Sequence, residues 1–529
     1  MTPSTRSSTN ASKEKNQSAD GLLGGVSPTA VVAFPSSHVV DSLTLPPRAT
    51  SRQPLPASDK SIRTKNPIRA IVDPIVANVQ SGRERGDGKD LISLALGDPT
   101  AAGHLTPCPA AIRAVRAVLD DNSSTKAAGY VNACGTSDAR RAIAAFHSVH
   151  LAPRQHVDHD PTLSSPHGKG LTEDDVIVAN GCSGALELAL TSLLNPDDVL
   201  LVPLPGFPLY QVIAESHGAS VLPYRLVESS GWECDLVQIE SLVRMPTQRQ
   251  RTGQQSARIK AIVVNNPSNP TGAVFSKDHL RRLVALCERL EIVIIADEVY
   301  GDLTFKPHKF YPMASIAAEL GHQVPIITAS GIGKQFLLPG WRVGWLVFQD
   351  DVYGSLSQVQ AGAKRLAQVI LGASHLAQTA IPSLLEPKNI EIRQWKHDLR
   401  TALQTQADIL CDRLSAAPGL RVIRPGGAMY AMVRIDADVW CSSSSSADPA
   451  ITSDTEWCQA LLREENVFVL PGTAFGLPGT ARMVFAAPPS TLMEAASRIV
   501  QFCHRHAMDA PLSNPRHRNE KIQTNGVDS

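Results

Sequence analysis

Short apolar runs alternating with amphipathic stretches dominate the middle of the chain. The runs are V-I-V-A (176–179), V-L-L-V-P (199–203), I-K-A-I-V-V (259–264), I-V-I-I-A (292–296), P-I-I-T (325–328) and W-L-V-F (345–348). Continuous Val/Ile runs without polar alternation predict strands covered on both faces, as in a mainly parallel sheet. Between them lie helical patterns such as D-H-L-R-R-L-V-A-L-C-E-R-L (278–290), with apolar residues at helical spacing. The alternation predicts an α/β fold, a mainly parallel sheet covered by helices. Beyond residue 350 the texture changes to helices at about 352–372, 375–385 and 390–416. Strands near 420–424 and 429–434, a helix near 454–464 and a last helix near 490–506 follow, which predicts a second, smaller α+β domain.

Ordered pattern begins at N-P-I-R-A-I-V-D (66–73), where Asn66 and Pro67 form a helix start, because Pro at the first helical position loses no needed N–H. L-I-S-L-A-L-G-D-P-T (91–100) reads as a short strand ending in a Gly-Asp-Pro turn, with a helix at 109–120. Residues 1–58 are rich in Ser, Thr, Pro and Ala without periodicity and predict a disordered extension; 511–529 read as a disordered polar tail. Between them the expected division is 59–104 as the N-terminal part of the small domain, 105–388 as the large domain and 389–510 as the C-terminal small domain. Residues 152–170, 246–257 and the serine run 441–447 read as surface insertions.

Formal net charge is zero with 19% charged residues, so no global field draws nucleic acid or an anionic membrane. Nine cysteines lie scattered without paired spacing, which predicts a reducing, intracellular setting. No run of apolar residues reaches membrane-spanning length, and no basic segment followed by an apolar core marks a secretory signal. The expected location is cytoplasmic. The alternative is mitochondrial, from the Ser-rich N-terminal segment, although Glu14, Asp20 and Asp41 interrupt it.

Chemistry concentrates on T-A-S-G-I-G-K-Q-F-L-L-P-G-W-R-V-G (328–344). Lys334 there is either a phosphate clamp or an amine kept for covalent chemistry with a carbonyl. The clamp reading fails on spacing: Thr328 stands where a P-loop needs its first glycine, and Gln335 stands where it needs Ser or Thr. The covalent reading gains partners at strand ends. Asp297, in A-D-E-V-Y-G-D (296–302), follows a buried run, and Asn269 sits in the Pro-bounded turn of N-N-P-S-N-P-T-G (265–272). Ligands of open α/β sheets collect at that edge. G-C-S-G-A-L-E-L-A-L (181–190) opens a helix whose backbone N–H groups, with Ser183, make a phosphate seat. A lysine, an acid, an amide donor and an anion seat are what a pyridoxal phosphate site requires.

The chain resembles the class I/II, fold type I pyridoxal phosphate aminotransferases, and more narrowly the tyrosine aminotransferase family. G-I-G-K-Q-F-L-L-P-G-W-R-V-G carries the lysine signature. N-P-I-R-A-I-V-D, S-L-A-L-G-D-P-T, V-P-L-P-G-F-P-L-Y, V-N-N-P-S-N-P-T-G, A-D-E-V-Y-G-D and G-G-A-M-Y follow the family's order, over about 60–510. The resemblance implies pyridoxal 5'-phosphate, with Lys334 as its Schiff-base and proton-shuttling residue. Asp297 is expected on the pyridine nitrogen, Asn269 and Tyr300 on the ring oxygen, and Phe207 on the ring face. Cys182, Ser183 and Arg342 are expected on the phosphate. Tyr130 is expected to reach the neighbouring subunit's cofactor, which implies a homodimer with shared sites. Arg482, with Gly97 and Asn269, is expected on the substrate α-carboxylate. A ping-pong transfer from tyrosine, and from other aromatic or neutral amino acids, to 2-oxoglutarate is the implied reaction. Arg69 is a candidate for the distal carboxylate of the oxo acid.

One position departs from the resemblance: many members carry a serine three residues before the lysine, and here it is Gly331, with Thr328 or Ser330 as possible replacements. Singly, the motifs have plainer readings, with Asp297 as a helix cap, Asn269 as a turn residue and the aromatics as core; their co-occurrence argues against these. His147, His150, His156, His159 and His167 lie in or beside an irregular insertion without helical pairing, so a solvated loop rather than a metal site is expected. Two rivals remain open: a C–S lyase or aminocyclopropane-carboxylate-synthase-like elimination on the same cofactor, and a non-catalytic regulator of the same fold.

Overall fold

In the computed structural model, residues 55–80, 89–121, 125–149, 170–245, 258–321, 323–350, 353–436 and 451–508 are described. The expected insertions, apart from Gly170, lie outside these residues, as do the C-terminal tail and the N-terminal extension before residue 55. The strands are β1 (Ile92–Ser93), β2 (Val176–Asn180), β3 (Val199–Leu204), β4 (Ser220–Val227), β5 (Glu233–Cys234), β6 (Ile259–Asn265), β7 (Val293–Asp297), β8 (Ile326–Gly331), β9 (Val343–Gln349), β10 (Leu420–Ile423), β11 (Tyr430–Ile435), β12 (Val467–Phe468), β13 (Leu470–Pro471) and β14 (Thr480–Val484).

Eight of them form one sheet in the order β2-β9-β8-β7-β6-β3-β4-β5. The pairings of β8, β7, β6, β3 and β4 are parallel, as the apolar runs predict, while β9 runs antiparallel to both its neighbours. Successive residues of each central strand feed opposite cores, as a pleat dictates. Leu201, Ile262 and Ile294 enter one cluster; Leu200, Val263 and Ile295 enter the other. Both faces are dry, which is why these strands show no polar alternation.

The edge strand β5 and its neighbour β4 escape a pattern reading. In β4, Pro223 and outward-facing polar residues break the apolar run, and its exposed positions alternate with buried ones only at the far end. The expected strand at 91–100 shrinks to β1, parallel to β12. The residues after it form an irregular segment, pinned where Leu94 N–H donates to the Phe468 carbonyl and Val484 N–H to the Leu94 carbonyl. A four-stranded sheet, β10-β11-β14-β13, carries the C-terminal part of the chain. The helix Pro67–Gln80 begins as expected, with the Asn66 carboxamide oxygen accepting from the Ile68 and Arg69 N–H groups. The expected helix 375–385 is two short ones, His375–Gln378 and Ile381–Leu384, with Pro382 in the first turn of the second. The described residues from Ala57 onward form one compact unit.

Candidate active site

Registers across the large sheet bring the site together. Asn265 lies beside Asp297, Asp297 beside Ala329, Gly331 beside Gly344 and Asn180 beside Val343. The carboxyl ends of β2, β6, β7 and β8 and the start of β9 thus share one edge, where a cavity of about 270 Å³ opens. Lys334, Asp297, Tyr300, Asn269, Phe207, Cys182, Ser183, Arg342, Gly97 and Arg482 all line it. Tyr130 does not: it is 94% exposed and stands apart from this cavity.

Lys334 sits on the single turn Ile332–Gln335, and its Nζ donates to the Gly97 carbonyl. Gly97 has a steric reason to be glycine, since a Cβ there would lie 2.5 Å from the Tyr430 hydroxyl. Asp297 is no helix cap. It is buried, and its carboxylate accepts from Tyr210 Oη at 2.6 Å and from the Val299 N–H at 3.2 Å, with Cys182 Sγ at 3.8 Å. Burial pushes its carboxyl up, and those donors oppose the shift. Asn265 braces the same edge, donating to the Asp297 carbonyl while its side-chain oxygen accepts the Asn269 N–H at 2.7 Å.

The helix of the phosphate seat starts at Gly181 rather than at Ser183, and runs to Leu193. Asn180 makes no side-chain cap, so its side chain leaves the first-turn N–H groups to other acceptors. The Arg342 guanidinium lies against Gly181, where a Cβ would come within 2.5 Å of it, and donates to the Pro339 and Asn180 carbonyls. A glycine opens the helix here because its φ of +71° is one that other residues rarely adopt, and a Cβ would also crowd the arginine.

Arg482, on β14, is the most deeply set cation. It donates to the Asn269 side-chain oxygen at 3.0 Å and to the Ala95 carbonyl at 2.6 Å, and its Nε is buried without a partner. It lies over the Tyr430 and Phe475 rings, 4.4 and 4.5 Å from their centroids. A buried guanidinium held by neutral groups is built to receive an anion.

The hydroxyl questions around the lysine resolve sterically. A Cβ on Gly331 would lie 2.8 Å from the Val343 carbonyl, so a serine does not fit this backbone. Thr328 Oγ1 faces the Gln349 carboxamide at 3.2 Å, and Ser330 Oγ bonds the Glu298 carbonyl and the Gln335 amide; neither lines the cavity. Arg69 is also outside it, exposed and paired with Asp73 at 3.5 Å. His147 is buried and accepts from Trp345 Nε1 at 3.1 Å, while the other four histidines of its group lie outside the described residues. Among the described residues no three His, Cys, Asp or Glu side chains gather as a metal site.

The donor set fits pyridoxal phosphate: an amine, a buried acid, phenol and amide donors, and an arginine beside an uncapped helix start. Over residues 89–499 the chain matches the family described as aminotransferase class I and II. The chain belongs to that family. Like its other members, this aminotransferase is dependent on pyridoxal phosphate. It is 39% identical over 442 residues to a tyrosine aminotransferase of Dictyostelium discoideum, covering 83% of this chain and 94% of that one. A tyrosine aminotransferase of Mus musculus is 38% identical over 451 residues, 85% of this chain and 87% of its own. Among solved structures, tyrosine aminotransferase from Leishmania infantum superposes with a TM-score of 0.71 at 28% identity, over 86% of this chain and all of that one.

Sequence reasoning missed Tyr210, Asn265 and Tyr430. Tyr210 carried a signal: it lies three residues after Phe207, and the two rings meet edge to face at 5.9 Å. Tyr430 comes from the smaller sheet, and nothing local in G-G-A-M-Y aims it at Tyr300.

Proposed function

We propose that this aminotransferase takes tyrosine as amino donor and 2-oxoglutarate as acceptor in a ping-pong cycle, working as a homodimer. One observation carries the donor: the likeness to tyrosine aminotransferases over most of the chain. The cavity lining from Ile68, Leu96 and Val299 supports it, because it offers apolar surface to an aromatic side chain.

When bound, pyridoxal phosphate supplies an electron sink for the charge left as the Cα proton departs. In this reading the Lys334 amine would take up that proton and give it back. Asp297, held by Tyr210, Val299 and Cys182, sets a carboxylate against the ring nitrogen. Tyr300 and Asn269 donate to the ring oxygen, and Phe207 covers the ring. Arg342, Ser183, Cys182 and the first turn from Gly181 hold the phosphate. Arg482 grips the substrate α-carboxylate, helped by Asn269 and Gly97, and its burial excludes water from that contact. Tyr130 is assigned to the partner subunit's site, in keeping with its exposure. A cytoplasmic location belongs to the same proposal, in keeping with the eight free thiols among the described residues.

A panel of amino donors with 2-oxoglutarate tests this. Tyrosine is expected to give the highest kcat/KM, with one oxo acid consumed per amine transferred. Release of ammonia and pyruvate without 2-oxoglutarate consumption would replace transfer with elimination. Lys334→Ala is expected to lose transamination, and a variant working at near the parent rate would end the assignment.

A further inference from the structure

The geometry points to Tyr430 as a positioning residue that donates to the Tyr300 hydroxyl and thereby turns the single Tyr300 proton into the cavity. The two phenol oxygens lie 2.7 Å apart, and the rings meet edge to face at 5.7 Å and 83°. Both side chains are buried, at 4% and 2% exposure, and both line the cavity. They come from different sheets: Tyr300 follows β7, and Tyr430 opens β11.

A phenol has one proton and accepts through its oxygen. If Tyr300 donated to Tyr430, it would have nothing left to give a cofactor oxygen. Donation in the reverse sense leaves the Tyr300 proton free, and makes it a stronger donor, because hydrogen bonds in a chain polarise one another. The Tyr430 side chain is held in place from three sides. The Arg482 guanidinium covers the Tyr430 ring at 4.4 Å, Gly97 leaves room for its hydroxyl, and the Tyr300 oxygen lies within hydrogen-bond distance of it. Tyr430 therefore links the carboxylate-binding arginine to the ring-oxygen donor. The titratable and charged groups facing Tyr300 are Tyr430, Asp297, Arg482 and Tyr210; Lys334 lines the same cavity.

This inference rests on the assignment of Tyr300 to the cofactor oxygen, so the test separates the two. The holoenzymes of Tyr430→Phe, Tyr300→Phe and the double variant are titrated, following the pH midpoint of the bound cofactor's absorption change. A weaker donor leaves the ring oxygen more basic and moves that midpoint up. Tyr430→Phe, which keeps the ring over Arg482, is expected to raise it by about 0.5 to 1 pH unit, the size of one lost hydrogen bond. Tyr300→Phe is expected to raise it further, and the double variant to match Tyr300→Phe, since Tyr430 acts only through Tyr300. A parent-like midpoint in Tyr430→Phe beside a shifted Tyr300→Phe overturns the role of Tyr430 alone, as do additive shifts. An unshifted Tyr300→Phe overturns the Tyr300 assignment itself.

Discussion

The two arginines of the cavity are placed for different work, and burial separates them. Arg342 lies exposed across a helix start, where water and backbone carbonyls share it. Arg482 is walled in by two aromatic rings and holds only neutral acceptors, so an incoming carboxylate meets a charge that solvent does not screen. Arg482→Lys keeps the charge and loses the planar fork. KM for the amino donor is expected to rise about 10- to 100-fold, a loss of about 1.4 to 2.8 kcal/mol, which steady-state kinetics read directly. Glu298 gives a second residue-level outcome. It follows Asp297 but turns away from the cavity, accepts the Met313 N–H at 2.7 Å, and is pushed up to about 8 by burial. Its folded-state value lies above its unfolded one, so between about pH 4.5 and 8 the folded protein holds a proton that the unfolded chain has lost, and stability falls as pH rises. Glu298→Gln keeps the acceptor without the charge. Thermal melts are expected to show the variant gaining on the parent from pH 5 to 8 and levelling above that.

At the scale of elements, close backbone approach shapes the lysine's surroundings. β9 passes so near the helix start that a Cβ on Gly344 would lie 2.4 Å from the Cys182 nitrogen, and Gly331 faces Gly344 across the β8–β9 pair. Two glycines in register let β8, β9 and the helix Gly181–Leu193 crowd together, and the Arg342 guanidinium lies against Gly181 at that helix start. The lysine turn is tied to the end of β7 by Gln335, which donates to the Glu298 carbonyl at 3.2 Å. Gly331→Ser, which restores the hydroxyl common in the family, is expected to cost about 1 to 3 kcal/mol by overpacking, measured by denaturant unfolding. A gain in cofactor retention from this serine would contradict the geometry.

For the whole molecule the question is what completes the site. The cavity draws on the large sheet for Asp297, on the smaller sheet for Tyr430 and Arg482, and on the segment after β1 for Gly97, all within one chain. Tyr130 stands outside, exposed, and the proposed dimer gives it a use. Mixing Lys334→Ala subunits with Tyr130→Ala subunits distinguishes the arrangements. Shared sites are expected to regain activity in the mixture, because one site of each hybrid pairs an intact Lys334 with an intact Tyr130. No recovery would place Tyr130 in its own chain's site or in none.

The apolar runs and the strand-end motifs were readable without a structure, because burial on both faces and turn chemistry are local demands. Asp297, Asn269 and Lys334 declared themselves by following such runs or by interrupting glycine-rich turns. The Tyr210 hydrogen bond to Asp297, the Tyr300–Tyr430 pair and the neutral embrace of Arg482 join residues far apart in the chain. No spacing rule reaches that far; sheet register and the packing of the smaller sheet on the larger made those contacts. The sequence by itself determined the fold class and the cofactor, and singled out Lys334 as the candidate amine for it. Only the tertiary structure decided which hydroxyls face the cavity, why Gly331 has no side chain, and how Arg482 is shielded, because each depends on how closely distant backbones approach.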